Sequence, residues 1–439
     1  MNPFVRGPYA AAAAIADAVS ALAGRATGVV PSSAGKLQRS LAARAGVLDR
    51  VTSWSRKHRS PCAPLVWIHA ASVGEGLMAR PVIDRIRAER PDVQLAYTFF
   101  SPSAETFAQS VGADVADYLP FDTEAAAQAM LHALRPSVIL FSKLDVWPVL
   151  VEEATSDQVR LVLTSAALSE SSGRRSALAQ LLLRDAYRAL DAVGAVHADD
   201  AARLVALGVR ADRITVTGDV RYDQVWERAS ARRANRELLA RLQSDRPTIT
   251  AGSTWPGDAA CLFDAWPAIR TAVPRARLII AAHEPTAATT QSLQLRTAQM
   301  GLTAAVLDRA TSETDVIIVD TVGVLADLYA LATIAFVGGG FHSAGLHSVV
   351  EPAAFGAPVF VGPRHTASRD AMTLLQVGGG FAVTSGAELS AQAIPLLTDP
   401  ETRTRTGERA RDVVTAGLGA AVKSAALILP LLKPLRLSR

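Results

Sequence analysis

Between residues 64 and 384 the chain alternates short β-branched, apolar runs with longer amphipathic stretches, and this restricts it to parallel sheets joined by crossover helices. In the first half the strand candidates are 65–70, 93–100, 138–141, 160–163, 195–197 and 214–217. The second half repeats the pattern at 248–251, 278–282, 316–319, 334–338, 358–361 and 381–384. Between the halves, residues 219–244 are highly charged and poor in apolar side chains, which marks a domain boundary. With 439 residues, 49% of them hydrophobic, the chain has material for two cores. The expected fold is α/β: two doubly wound, Rossmann-like domains, 61–230 and 245–425, with an N-terminal segment 1–60 and an apolar and basic tail 426–439. Ligands of such sheets bind beyond the carboxyl ends of the strands, so the active site is expected in a cleft between the domains.

Cys62 and Cys261 lie far apart in no ligand spacing, which removes a disulfide framework, a zinc ribbon and an iron–sulfur site. The net charge of +4 conceals an asymmetry. Residues 1–60 hold nine Lys/Arg (Arg6, Arg25, Lys36, Arg39, Arg44, Arg50, Arg56, Lys57, Arg59) against Asp17 and Asp49, a net of +7. The other 36 basic and 39 acidic residues give −3. A nucleic-acid partner is not expected, because the aromatic interleaving of a base-stacking surface is missing. The stretch 8–24 is mostly alanine, is interrupted by Asp17 and is too weakly apolar to span a bilayer. Ile15, Val19 and Leu22 recur at helical spacing, so a helix lying in the headgroup region of an anionic membrane is the favoured reading, with a soluble helix packed on the first domain as the alternative. No cleavable signal is apparent.

Four places carry candidate chemistry. In Trp67-Ile68-His69-Ala70-Ala71-Ser72-Val73-Gly74-Glu75-Gly76, a buried strand runs through a small-residue turn into a helix and leaves Ser72 and Glu75 at the strand end. Glu75 reads equally as a first-turn carboxylate complementing the helix dipole and as a general base facing a hydroxyl. In Phe141-Ser142-Lys143-Leu144-Asp145-Val146-Trp147-Pro148, Lys143 and Asp145 form a local ion pair or meet a phosphorylated ligand. In Ala251-Gly252-Ser253-Thr254-Trp255-Pro256-Gly257-Asp258, Ser253 and Thr254 precede a helix start, as an anion site or an ordinary cap. Ala282-His283-Glu284-Pro285 would face the same crevice. The fourth runs from Phe336-Val337-Gly338-Gly339-Gly340-Phe341 through Gly345-Leu346-His347-Ser348-Val349-Val350-Glu351-Pro352. Its three glycines let a ligand approach the backbone, and Glu351, four residues after His347, can share a helix face with it and accept hydrogen bonds from ribose hydroxyls. The triglycine does not fit Gly-x-Gly-x-x-Gly, which argues against a dehydrogenase.

With the markers Phe100-Ser101-Pro102-Ser103, Tyr118-Leu119-Pro120-Phe121-Asp122, Gly218-Asp219-Val220-Arg221-Tyr222-Asp223 and Asp320-Thr321-Val322-Gly323, in this order, the chain resembles the 3-deoxy-D-manno-octulosonic acid (Kdo) transferases of lipopolysaccharide assembly. The resemblance implies a two-domain GT-B glycosyltransferase that moves Kdo from CMP-Kdo to a lipid A precursor with inversion. It implies Glu75 as catalytic base and Ser72, Ser101, Lys143 and Asp145 on the acceptor side. On the donor side it implies Ser253, Thr254, His283, Thr321, Val322, Gly323, Gly338, Gly339, Gly340, His347, Ser348 and Glu351. No metal or other cofactor is expected, since helix termini and basic side chains can stabilise the departing phosphate. The expected location is the cytoplasmic face of the inner membrane of the cell envelope, peripheral or monotopic. Many family members have Glu-Thr-Glu-Leu-Trp-Pro where this chain has 143–148, Arg-His at 283–284 and Asn at Ser348. Two alternatives remain at this level: another GT-B transferase or epimerase using a UDP-sugar, and a non-catalytic nucleotide-sugar-binding relative.

Overall fold

The computed structural model describes residues 1–26, 36–231 and 235–432. They form two compact units, Met1–Gln224 with Leu418–Arg439, and Val225–Gly417. The first unit contains β1 (Leu65–His69), β2 (Gln94–Phe99), β3 (Val115–Tyr118), β4 (Val138–Ser142), β5 (Arg160–Ala166), β6 (Ala192–Ala195) and β7 (Ile214–Val216). The second contains β8 (Thr248–Thr254), β9 (Arg277–Ala282), β10 (Ala304–Val306), β11 (Val316–Val319), β12 (Ile334–Val337), β13 (Val359–Val361) and β14 (Gly380–Ala382). The sheet orders are β3-β2-β1-β4-β5-β6-β7 and β10-β11-β9-β8-β12-β13-β14. All pairings are parallel. Each sheet thus grows in both directions from its first strand, and the crevices beside the ends of β1 and β8 are the switch points where such sheets hold ligands.

The central strands β1 and β4 are buried along their whole length, which is why they read as continuous apolar runs. Each wholly buried side chain such as Leu65, Val66 or Ile68 contributes about 1.5–3 kcal/mol relative to exposure. The two strands absent from the sequence expectation, β3 and β10, are both edge strands with partly exposed residues. Having only one neighbour, they need no continuous apolar run. The strand expected at 195–197 lies earlier, at Ala192–Ala195, and His197 instead precedes the Ala198–Leu207 helix.

The charged stretch 219–244, within which the two units divide, forms two helices, Val220–Ala231 and Arg236–Leu242. The second domain also ends earlier than the expected residue 425, because the chain rejoins the first unit at Leu418. Asp223 fixes that return by accepting hydrogen bonds from the amides of Gly419 and Ala421, both 2.8 Å. The following helix, Ala420–Ile428, buries Ala421, Ala425 and Ile428 in the first core. It lies within Pro400–Leu431, a stretch long and apolar enough to cross a membrane by length and composition alone. Of the tail 426–439, residues 433–439 lie outside the described residues.

The N-terminal segment forms helices Pro3–Ala26, Lys36–Arg44 and Val47–His58, and several of its charges are engaged within the first unit. Arg44 is buried, donates to the carbonyls of Leu119 and Phe100 and lies 3.9 Å over the Phe100 ring; burial lowers its pKa to about 10. Arg59 is buried against backbone carbonyls, Arg50 pairs with Asp117 and Arg6 with Glu152. Arg39, Arg56 and Lys57 remain exposed, whereas Arg25 and Lys36 fall outside the described side chains. The first helix docks through polar groups: the Met1 ammonium on Glu152, the Tyr9 hydroxyl on Asp122 at 2.8 Å and Ser20 on the Leu41 carbonyl. Its apolar stripe faces outward, with Ile15 65%, Leu22 63% and Phe4 90% exposed.

Candidate active site

In the first unit, β1 ends at His69 and the Val73–Glu89 helix begins after Ser72. Ser72 caps that helix by accepting from the Glu75 amide at 3.4 Å, and its hydroxyl donates to the Glu75 carboxylate at 3.2 Å. The first-turn position matches the reading of Glu75 as a carboxylate that complements the helix dipole. The carboxylate sits in the first turn, where helix amides favour negative charge, and it is half-exposed in a fixed orientation at the switch point. Gly76 lets the helix close onto β2, since a Cβ there would run into the Phe107 ring and the Tyr97 hydroxyl. That hydroxyl is buried without a hydrogen-bond partner; burial and the nearby Glu75 carboxylate push its pKa up. Ser142, at the end of β4, donates to the Glu75 carbonyl at 3.0 Å. Ser101 is tied to the same turn, its amide donating to the Ala71 carbonyl.

Lys143 and Asp145 do not pair with each other. Asp145 lies 3.2 Å from Nε2 of the buried His69 and 3.5 Å from Arg174. Burial acts to raise its pKa, but the hydrogen bonds and charges of His69, Arg174 and Trp147 outweigh it and hold the carboxyl below its usual range. Trp67 donates to Thr98 Oγ1 (2.9 Å), and Thr98 Oγ1 meets His69 Nδ1 (3.1 Å). Nε2 faces Asp145 and accepts from the Trp147 indole N–H at 3.1 Å. Asp145 is held by these partners with 25% of its side chain exposed. Lys143, half-exposed with φ +66°, has no ion-pair partner among the described residues.

In the second unit, β8 carries Ser253 in a left-handed conformation (φ +53°) and an irregularity in its register with β9. Thr254 is buried and its hydroxyl donates to the Ala281 carbonyl, so it is not a free anion donor. Neither hydroxyl caps the Pro256–Ala272 helix. Asp258 does, accepting from the Trp255 amide at 2.8 Å. The same carboxylate, wholly buried, accepts from the amides of Gly339 at 2.8 Å and Phe341 at 3.2 Å. Those two amides are therefore spent inside the protein and do not meet a ligand phosphate, contrary to the expectation for the loop after Gly338. Gly340's amide makes no hydrogen bond among the described residues.

His347 lies in an extended loop before the short Val350–Ala354 helix, so it and Glu351 are not one turn apart on a helix. The His347 amide donates to the Gly338 carbonyl. Its ring sits 4.7 Å from that of His283, which stacks on Trp255, which stacks on His342 at 3.7 Å. Burial and His283 hold the His347 imidazole below its ordinary pKa, with Asp258 pulling the other way. A cavity of about 470 Å³ opens beside Trp255 and His283, lined also by Thr289, Ser292 and Arg296. Burial raises the pKa of Glu351, opposed by the nearby charge of Arg228. Arg228 pairs with Asp327 at 2.7 Å and donates to the Gly323 carbonyl, which fixes the exposed 321–323 turn. Ser348 is half-exposed between His347 and that helix.

Sequence reasoning missed Asp258, Arg228 and the structural use of His69. For Asp258 a signal was present, because an acidic residue three places after a helix start is the partner in a capping box. Among the described residues no group of three His, Cys, Asp or Glu side chains forms a candidate metal site.

Two parallel Rossmann-like sheets with ligand ends at β1 and β8 define the GT-B class of glycosyltransferase architecture. Solved structures share the fold: a UDP-GlcNAc 2-epimerase from Neisseria meningitidis bound to UDP-GlcNAc (TM-score 0.63, 14% identity, 83% of this chain and 100% of that one). A glycosyltransferase from Rickettsia africae is similar too (TM-score 0.56, 13% identity, 86% and 100%). At these identities the likeness concerns fold alone. Residues 39–224 match the family model described as 3-deoxy-D-manno-octulosonic-acid transferase. The 3-deoxy-D-manno-octulosonic acid transferase of Bordetella pertussis is 32% identical over 378 residues, covering 82% of this chain and 86% of that protein. That of Haemophilus influenzae is 27% identical over 389 residues (84% and 86%). The chain belongs to the Kdo transferase family, whose members are glycosyltransferases, and a UDP-sugar epimerase is not favoured.

Proposed function

We propose that this transferase moves Kdo from CMP-Kdo to a lipid A precursor during lipopolysaccharide assembly, with inversion at the anomeric carbon. The observation that carries the reading is the Glu75 carboxylate, half-exposed at the first switch point and oriented by Ser72. In one displacement the acceptor hydroxyl oxygen bonds to the anomeric carbon, Glu75 takes the hydroxyl proton, and the bond to the CMP phosphate breaks with its electron pair leaving on CMP. Lys143 and Ser101 meet the acceptor. Glu351 accepts from the ribose hydroxyls, His283, His347, Ser253 and Ser348 hold the nucleotide and sugar carboxylate, and the Gly340 amide meets the departing phosphate. The reaction is proposed to need no metal. Purified protein given CMP-Kdo and tetraacylated lipid A precursor in detergent is expected to release CMP and form Kdo-lipid; neither product appearing would sink the reading.

The proposed location is the cytoplasmic face of the inner membrane, with the first helix lying on the lipid surface. Support comes from its outward Phe4, Ile15 and Leu22. On vesicles containing anionic lipid, Phe4→Asp is expected to weaken partitioning by about tenfold, the scale of one buried apolar side chain. Unchanged sedimentation with vesicles would remove this helix from the membrane contact.

A further inference from the structure

Asp258 is wholly buried at the start of the Pro256–Ala272 helix, and its partners lie far along the chain. One oxygen accepts from the Trp255 and Gly339 amides, both at 2.8 Å, and the other from the Phe341 amide at 3.2 Å. The carboxylate therefore joins the loop that follows β8 to the triglycine that follows β12, the two strand ends that flank the switch point of this sheet. The remaining amides of the stretch are also assigned. Gly338 donates to the Gly252 carbonyl and His342 to the Gly339 carbonyl, which leaves Gly340 as the amide of 338–342 with no partner among the described residues. Gly339 adopts φ +94°, and a Cβ there would run into the Gly345 carbonyl oxygen, so the loop has this path only with glycine and with the carboxylate beneath it.

We infer that Asp258 is a positioning residue for the nucleotide donor: by claiming the Gly339 and Phe341 amides it sets the triglycine path and leaves Gly340's amide for the donor's anionic groups. The inference rests on the reading that the second unit binds the CMP-sugar. An ordinary helix cap would stabilise the helix alone. Asp258 instead spends two of its three hydrogen bonds on a loop 81 and 83 residues away, at the ligand end of the sheet.

Asp258→Asn keeps the shape but turns an NH2 group toward either Phe341's amide or those of Gly339 and Trp255. CMP binding by calorimetry and CMP-Kdo kinetics on the full-length protein test the inference. In Asp258→Asn the CMP Kd and the donor KM are expected to rise by about tenfold or more, the scale of one charge-assisted hydrogen bond. The kcat at saturating donor should stay within about threefold. Gly339→Ala, which displaces the same loop from its other face, is expected to reproduce this split and decides the matter if Asp258→Asn does not fold. Asp399→Ala removes a cap from the Pro400–Ala416 helix of the same unit. It is expected to lower the melting temperature without moving donor KM, so that stability loss is separated from loop position. Wild-type affinity in a folded Asp258→Asn, or a kcat loss with KM unchanged, would overturn the inference. A wild-type protein that binds no CMP would instead overturn the donor-site reading beneath it.

Discussion

At the ligand end of the first sheet side chains hold other side chains: Asp145 takes up His69 and Arg174, and Ser72 orients Glu75. At the same end of the second sheet one carboxylate, Asp258, holds main chain instead. The contrast fits the roles proposed for the two ends. A base must be a titratable side chain with its orientation fixed, so its surroundings are a web of polar side chains. A nucleotide phosphate is an anion best met by amides that need no counter-charge and no side-chain ordering, so its surroundings are glycine loops held from beneath. The difference predicts that damage at the first end shows in turnover and damage at the second in donor affinity.

The largest expected effect is Glu75→Ala, which should lower kcat by about 10²–10⁴ while CMP affinity, read by calorimetry, is retained. A drop in CMP affinity of the same size would erase the division between the two ends. Next, Glu351→Gln should weaken CMP binding by about tenfold to a hundredfold, since a carboxylate acceptor is lost, with little change in kcat at saturating donor. A kcat effect alone would move Glu351 out of the donor site. Asp145→Ala should cost about 1–3 kcal/mol in urea denaturation, because the buried His69 ring and Arg174 lose their carboxylate partner. An unchanged midpoint would mean that Asp145 is turned to the acceptor after all.

The smallest effect concerns His347. Its folded pKa is depressed by burial and by His283, so between that value and about 6.5 the unfolded chain binds more protons. Its contribution to stability is whole above about 6.5 and falls away as pH drops through the folded value. The melting temperature of the wild type should thus fall more steeply from about pH 7 to about pH 5.5 than that of His347→Gln. Parallel curves would show that the ring stack leaves His347 untitrated in this range.

Much of the fold was legible because it rests on short-range physics. The central strands sit between two layers and so must be apolar throughout, which 65–70 and 138–141 announce plainly. Edge strands β3 and β10 have one partner and partial exposure, and their sequences, Val-Ala-Asp-Tyr and Ala-Ala-Val, carry no such signal. The candidate site was legible where a local rule applied: Glu75 in a first turn, the triglycine at a strand end. It was not legible where the rule was met by a different residue. Ser253 and Thr254 look like caps, yet the cap is Asp258. Lys143 and Asp145 look like a pair, yet the partners are His69 and Arg174.

By itself the sequence determined two parallel α/β domains, the glycine loops and an amphipathic N-terminal helix, since these follow from residue spacing and backbone sterics, and its motifs carried the resemblance to the Kdo transferases. Only the tertiary structure decided which charges are free. Arg44 and Arg59 count toward the +7 of the first 60 residues but are buried on carbonyls contributed from 56 to 76 residues further along. His69 and Asp145 meet across 76 residues, and Asp258 and Gly339 across 81. A buried polar group is stable only beside its partner, and the order of strands in the sheet, which spacing along the chain does not encode, brings that partner within reach.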